Sequence, residues 1–262
     1  MRAWAALLAL WLVLRTAAGQ VPNLPGIRDK GFIRECVQVH NNLRGGVQPS
    51  ASNMRYMSWD AALARTARAW AKRCVFEHNT YLSQERQGHP NFSSIGENLW
   101  AGTYQVFNVS SAIKSWYDEV GSYNFATQKC TKVCGHYLQV VWAASYKVGC
   151  AVHFCPSVGY SSITNAAHFV CNYGPAGNYP RQPYEMGAAC RGCGGEPCAK
   201  QLCRNADRDK VVSDSGWHPD WDRPAWDQYC VSTVVLRLLL LALTILATWL
   251  LPKHWSVAPV TE

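Results

Sequence analysis

No stretch of this chain carries five or six like charges in succession, although lysine and arginine number 25 against 17 aspartates and glutamates. A nucleic-acid interface gathers its cations on one face or along one helix, whereas scattered cations make a solvated basic surface, so no nucleic acid is expected as a partner. Two hydrolase signatures are also missing. No His-Glu-x-x-His sets two imidazoles and a base on one helix face, and no Gly-x-Ser-x-Gly presents a serine on a sharp turn. Helical and strand patterns do not alternate regularly, which argues against a parallel βαβ sheet.

What the chain does have begins with cysteine, twelve in 262 residues. Arg2, the apolar run Ala3 to Leu14 and the small residues Ala17-Ala18-Gly19 form a secretory signal, residues 1–19, with cleavage expected after Gly19. The run is too short to span a bilayer, which takes about 20 apolar residues. Twelve cysteines behind such a signal imply an oxidising compartment and structural disulfides. The sequons at Asn91 and Asn108 are expected glycosylation sites.

The length suits one domain with appendages. Phe32 to Leu43 places apolar residues at helical spacing and ends at Gly45-Gly46. Asp60 is an N-cap for a second helix, with Leu63, Ala67, Trp70, Ala71 and Cys74 on one face. Ser110 or Ser111 is expected to cap a third, through Ile113 and Trp116 to Glu119. Lys147 to Phe154 and Phe169 to Tyr173 are expected strands. From Cys190 the texture is Gly, Pro and charge, which cannot build a core alone; two disulfides among Cys190, Cys193, Cys198 and Cys203 would staple residues 190–204 as a hinge. Residues 205–230 are expected as an exposed stalk, interrupted by Trp217, Trp221 and Trp226, which either pack on the domain or lie at a membrane interface.

Val231 to Leu251 has the length of a transmembrane helix, with Arg237 close enough to its start to reach the outer headgroups. Residues 252–262 would form a cytoplasmic tail, with the domain outside the plasma membrane. The alternatives are secretion, or a GPI signal cleaved among Ser213 to Gly216, although such signals usually end in the apolar run.

Few titratable residues stand in tight aromatic or glycine contexts: His78, Glu97, Glu119 and His136. Local sequence does not assemble them into a site, and ordinary loop serines explain Ser93 and Ser94. Gly135-His136-Tyr137-Leu138-Gln139-Val140-Val141-Trp142 and His168-Phe169-Val170-Cys171-Asn172-Tyr173-Gly174-Pro175 resemble the two signatures of the CAP superfamily (cysteine-rich secretory, antigen 5, pathogenesis-related), and within it the glioma pathogenesis-related members. Leu138 stands where the family usually has Thr. The resemblance runs from about Phe32 to Cys203 and implies an α+β fold, an α-β-α sandwich, over residues 20–189.

It further implies that His78, Glu97, Glu119 and His136 line one cleft, where the two histidines hold zinc or another divalent cation; neutral imidazole suits zinc. Disulfides Cys74–Cys155 and Cys150–Cys171 are implied, with Cys36, Cys130, Cys134 and Cys230 unassigned. Residues 190–203 resemble a cysteine-rich hinge, without the ion-channel domain that follows it in some relatives. The function implied is a non-enzymatic extracellular module that meets a protein, lipid or sterol. Two other readings stay open: a metal-dependent hydrolase with Glu97 or Glu119 as base, which lacks the usual third ligand, and a structural adhesion protein.

Overall fold

The computed structural model describes residues 23–213, 216–222 and 228–250. The expected signal peptide, Trp226, the side chain of Cys230 and the tail from Pro252 lie outside them. The chain divides into two units, the first running through Trp221.

The first unit comprises α1 (Lys30–Gly45), β1 (Ser58–Trp59), α2 (Ala61–Ala71), β2 (Gly96–Thr103), α3 (Val109–Tyr117), β3 (Tyr123–Asn124), β4 (Lys129–Cys130), α4 (Gly135–Val140), β5 (Lys147–Ser157), β6 (Thr164–Gly174), β7 (Cys198–Ala199) and β8 (Leu202–Cys203). The main sheet has the order β1-β5-β6-β2, with β1 parallel to β5 and the other pairs antiparallel.

Strand side chains alternate between faces, and the core follows that rule. Val148, Cys150 and Val152 of β5 join Phe169, Cys171 and Tyr173 of β6 under α1, α3 and α4. Ala151 and Val170 point the other way, onto Ala67, Trp70 and Ala71 of α2. Helices therefore cover both faces of the sheet, as the α-β-α expectation required. Gly149 permits the close approach of α2, since a Cβ there would strike the backbone of Ala64 and Asp60.

Asp60 caps α2 as expected, its Oδ1 accepting from the N–H groups of Ala62 (2.8 Å) and Leu63 (3.2 Å). The helix stops at Ala71, and Cys74 turns into the left-handed region at φ 54°. The cap of α3 differs from expectation: Asn108 Oδ1 accepts from Ser111 N–H at 2.9 Å. Ser110 is engaged elsewhere, its hydroxyl donating to Glu35 at 2.6 Å. An asparagine cap is as favourable as serine, and here the neighbouring carboxylate claims the serine.

Cys74–Cys155 and Cys150–Cys171 form, and the hinge pairs Cys190–Cys198 and Cys193–Cys203. Cys130 bonds Cys134, while Cys36 is a buried free thiol. The first part of the expected stalk lies on the domain. Val212 bridges Asp60, and Trp221 stacks on Tyr81 at 4.8 Å and donates its Nε1–H to Gln87 O at 2.9 Å. Aromatic area of this kind is worth more packed than hydrated.

The second unit contains α5 (Gln228–Leu250). Val231–Trp249 within it is long and apolar enough to cross a membrane, with a mean hydropathy of 2.2.

Candidate functional site

The four singled-out residues are joined two by two. Glu97 is the second residue of edge strand β2. Its side chain is 3% exposed, and Oε1 accepts from the N–H of Asn79 at 2.8 Å and from His78 Nδ1 at 3.0 Å. The imidazole of His78 is largely exposed. Burial lifts the Glu97 carboxyl above the usual carboxylate range, and its hydrogen bond to Glu97 lifts the pKa of His78. The second carboxylate oxygen, Oε2, is buried without a hydrogen-bond partner.

Glu119 follows α3 in the helical turn Asp118–Ser122. Its Oε1 accepts from His136 Nδ1 at 2.6 Å, and its Oε2 accepts from the backbone N–H groups of His136 (3.0 Å) and Tyr137 (3.2 Å). Cys134, at the N-cap of α4, makes no side-chain cap bond, so the Glu119 carboxylate performs that task from a distance. Trp116 lies nearly parallel to the His136 ring, with centroids 6.4 Å apart.

In both pairs a carboxylate engages Nδ1. Because a carboxylate only accepts, Nδ1 carries the hydrogen, and the Nε2 of each neutral ring keeps its lone pair. This is how proteins orient metal-binding histidines: an outer carboxylate fixes tautomer and ring plane. Each imidazole is thus the kind of nitrogen donor that zinc accepts, and a cation held by two such rings would complete its coordination with water. Among the described residues no group of three or more His, Cys, Asp or Glu side chains could hold a metal.

Two contributors escaped the sequence reading. Asn98 faces away from Glu97 by strand alternation, and its Nδ2 donates to His136 O (3.1 Å) and to the Tyr173 hydroxyl (3.3 Å), tying β2 to α4. Tyr173 in turn meets His40 Nε2 at 2.9 Å. The adjacency of Asn98 to Glu97 was the available signal.

Residues 37–173 match the family described as Cysteine-rich secretory protein family. The chain is 48% identical over 234 residues to "Glioma pathogenesis-related protein 1" of Mus musculus, covering 88% of each. It is 36% identical to "Peptidase inhibitor 15" of Gallus gallus, covering 69% of this chain and 75% of that relative. Among solved structures, "Crystal structure of NaASP2 with Zn2+" superposes with a TM-score of 0.52 at 26% identity, covering 71% of this chain and 100% of the other. The two oriented imidazoles and the disulfide-braced sandwich that presents them are thus those of a chain that belongs to the cysteine-rich secretory protein (CAP) family.

Proposed function

We propose that this chain is a membrane-anchored extracellular module without enzymatic activity, that His78 and His136 hold a divalent cation such as zinc, and that its surface recognises a protein or a lipid or sterol. The observation that carries the reading is the pair of carboxylate-anchored imidazoles, each with Nδ1 engaged and Nε2 left for a ligand. Two imidazoles rather than three ligands favour reversible binding over hydrolysis, since catalytic zinc normally takes three protein ligands and a water. The solved relative described with Zn2+ supports the choice of ion. Anchoring rests on Val231–Trp249, and an extracellular domain on its disulfides.

The test is calorimetric titration of zinc into the full chain in detergent micelles. Saturable binding is expected in the unsubstituted chain and its loss in the double variant His78→Ala, His136→Ala. Binding should weaken on acidification, because ligand imidazoles must give up a proton. Undiminished binding in the double variant would overturn the assignment.

A further inference from the structure

Away from the histidine pairs, a cavity of about 530 Å³ opens between α1, β1 and the β7–β8 hairpin. Pockets for small organic ligands span about 300 to 1,000 Å³ and are mostly apolar with a few placed polar groups. Its apolar side is made by Ile33 and Val37 of α1, Trp59 of β1 and Leu202 of β8. Phe32 and Cys36 of α1 are buried in the sheet core, while Ile33 and Val37 pack against its margin, stay half-buried and line the cavity.

The charge around this cavity is unbalanced. Arg34 and Lys200 are exposed at its edge and form no ion pair among the described residues. The carboxylate lining it, Asp209, is 6% exposed and already held by Arg204 at 2.7 Å and Arg208 at 3.3 Å. The Arg204 guanidinium lies over the Tyr56 ring, 3.7 Å from its centroid. Cations thus surround an apolar floor whose lining acid is neutralised from within.

The hairpin tip is built in an unusual way. Lys200 and Gln201 both take left-handed backbone angles, φ 51° and 63°, in a two-residue turn that normally selects Asn or Gly. Cys198 and Cys203, which face each other across the strand pair, are each disulfide-bonded into the hinge, and so hold both ends of the turn. Non-glycine residues in such conformations concentrate at functional sites, where the surroundings over-determine them. Here the strained turn sets Lys200 beside the cavity.

We propose that this cavity is a second binding site, for a small organic anion with a compact apolar body and one sulfonate, sulfate or carboxylate group. Arg34 and Lys200 take the anionic group, and Ile33, Val37 and Val211 take the apolar body over a floor closed by Trp59 and Leu202. The site shares no residue with the histidine pairs and stands whether or not they bind metal.

The experiment uses the full chain in phosphatidylcholine nanodiscs, with 2-naphthalenesulfonate as probe, equilibrium dialysis as readout and empty discs as the blank. One saturable site per chain is expected. Reversing either exposed cation, Arg34→Glu or Lys200→Glu, should weaken binding at least about tenfold, by coulombic repulsion of the anion. Val37→Trp should abolish binding by filling the cavity, with near-ultraviolet circular dichroism verifying the fold, while His136→Ala should leave the affinity unchanged. Absence of saturable binding above the blank, equal affinity in the charge-reversed variants, or loss of binding in His136→Ala would each overturn the proposal.

Discussion

His40 offers a direct test of how burial controls the domain's response to acid. It sits in α1 with no exposed surface. Its Nδ1–H donates to Cys36 O at 2.7 Å, so Nε2 accepts from the Tyr173 hydroxyl at 2.9 Å, and the neutral ring is satisfied on both sides. Burial pulls its pKa down to about 4, against about 6.5 in an unfolded chain. Above pH 6.5 both states are neutral and stability is fully present. Between 6.5 and 4 the unfolded chain takes up a proton that the folded one refuses, and stability falls by about 1.4 kcal/mol per pH unit, or about 3 kcal/mol in all. Below 4 the loss levels off. His168, likewise lowered by burial, adds a loss of the same sign, whereas the raised pKa values of Glu97 and His78 favour the folded state on acidification. The difference between wild type and His40→Gln isolates the His40 contribution. Guanidinium unfolding of the full chain in micelles, followed by near-ultraviolet circular dichroism from pH 7.5 to 4, should show the two stabilities converging by about 3 kcal/mol. Parallel profiles would refute the reasoning.

Two further predictions concern the surface and the anchor. Asn108 is both an expected glycan acceptor and the cap of α3, so Asn108→Ala should remove a glycan and about 1 kcal/mol of stability together; enzymatic deglycosylation of the wild type, compared by thermal melts, should reproduce less of that loss. If α5 spans the membrane, phosphatidylinositol-specific phospholipase C should release no protein from intact cells, and release would instead support the lipid-anchored alternative.

The helices were legible where periodicity was strong. The inner stripe of α1 runs Phe32, Cys36, His40 and Arg44 at intervals of four, all buried, and the apolar pattern identified the first half of it. The polar second half was silent because burial of His40 and Arg44 depends on partners far along the chain. Strand β2 went unread, since Gly96, Glu97 and Asn98 are poor strand formers that pairing with β6 overrides. The site residues stood out by their aromatic and glycine contexts and were grouped by the family resemblance, and their pairing across 17 and 19 positions is a tertiary fact that no local pattern encodes. That the hinge holds two local disulfides was legible from its Gly, Pro and charged texture, while their pairing was not, and Trp221 could be placed only once its stacking partner Tyr81 was known.

Arg44 is buried among carbonyl groups, donating to those of Arg55, Val140, Trp142 and Ser145 at 3.2 Å or less. One side chain thereby fastens the start of the domain to the segment that leaves α4, the helix bearing His136. Partial opening of that segment would strand several acceptors at once, so α1, α4 and the approach to β5 should behave as a single cooperative unit, opening together in native-state exchange rather than fraying separately. On this view the imidazole of His136, carried on α4, is as durable in its place as the first helix.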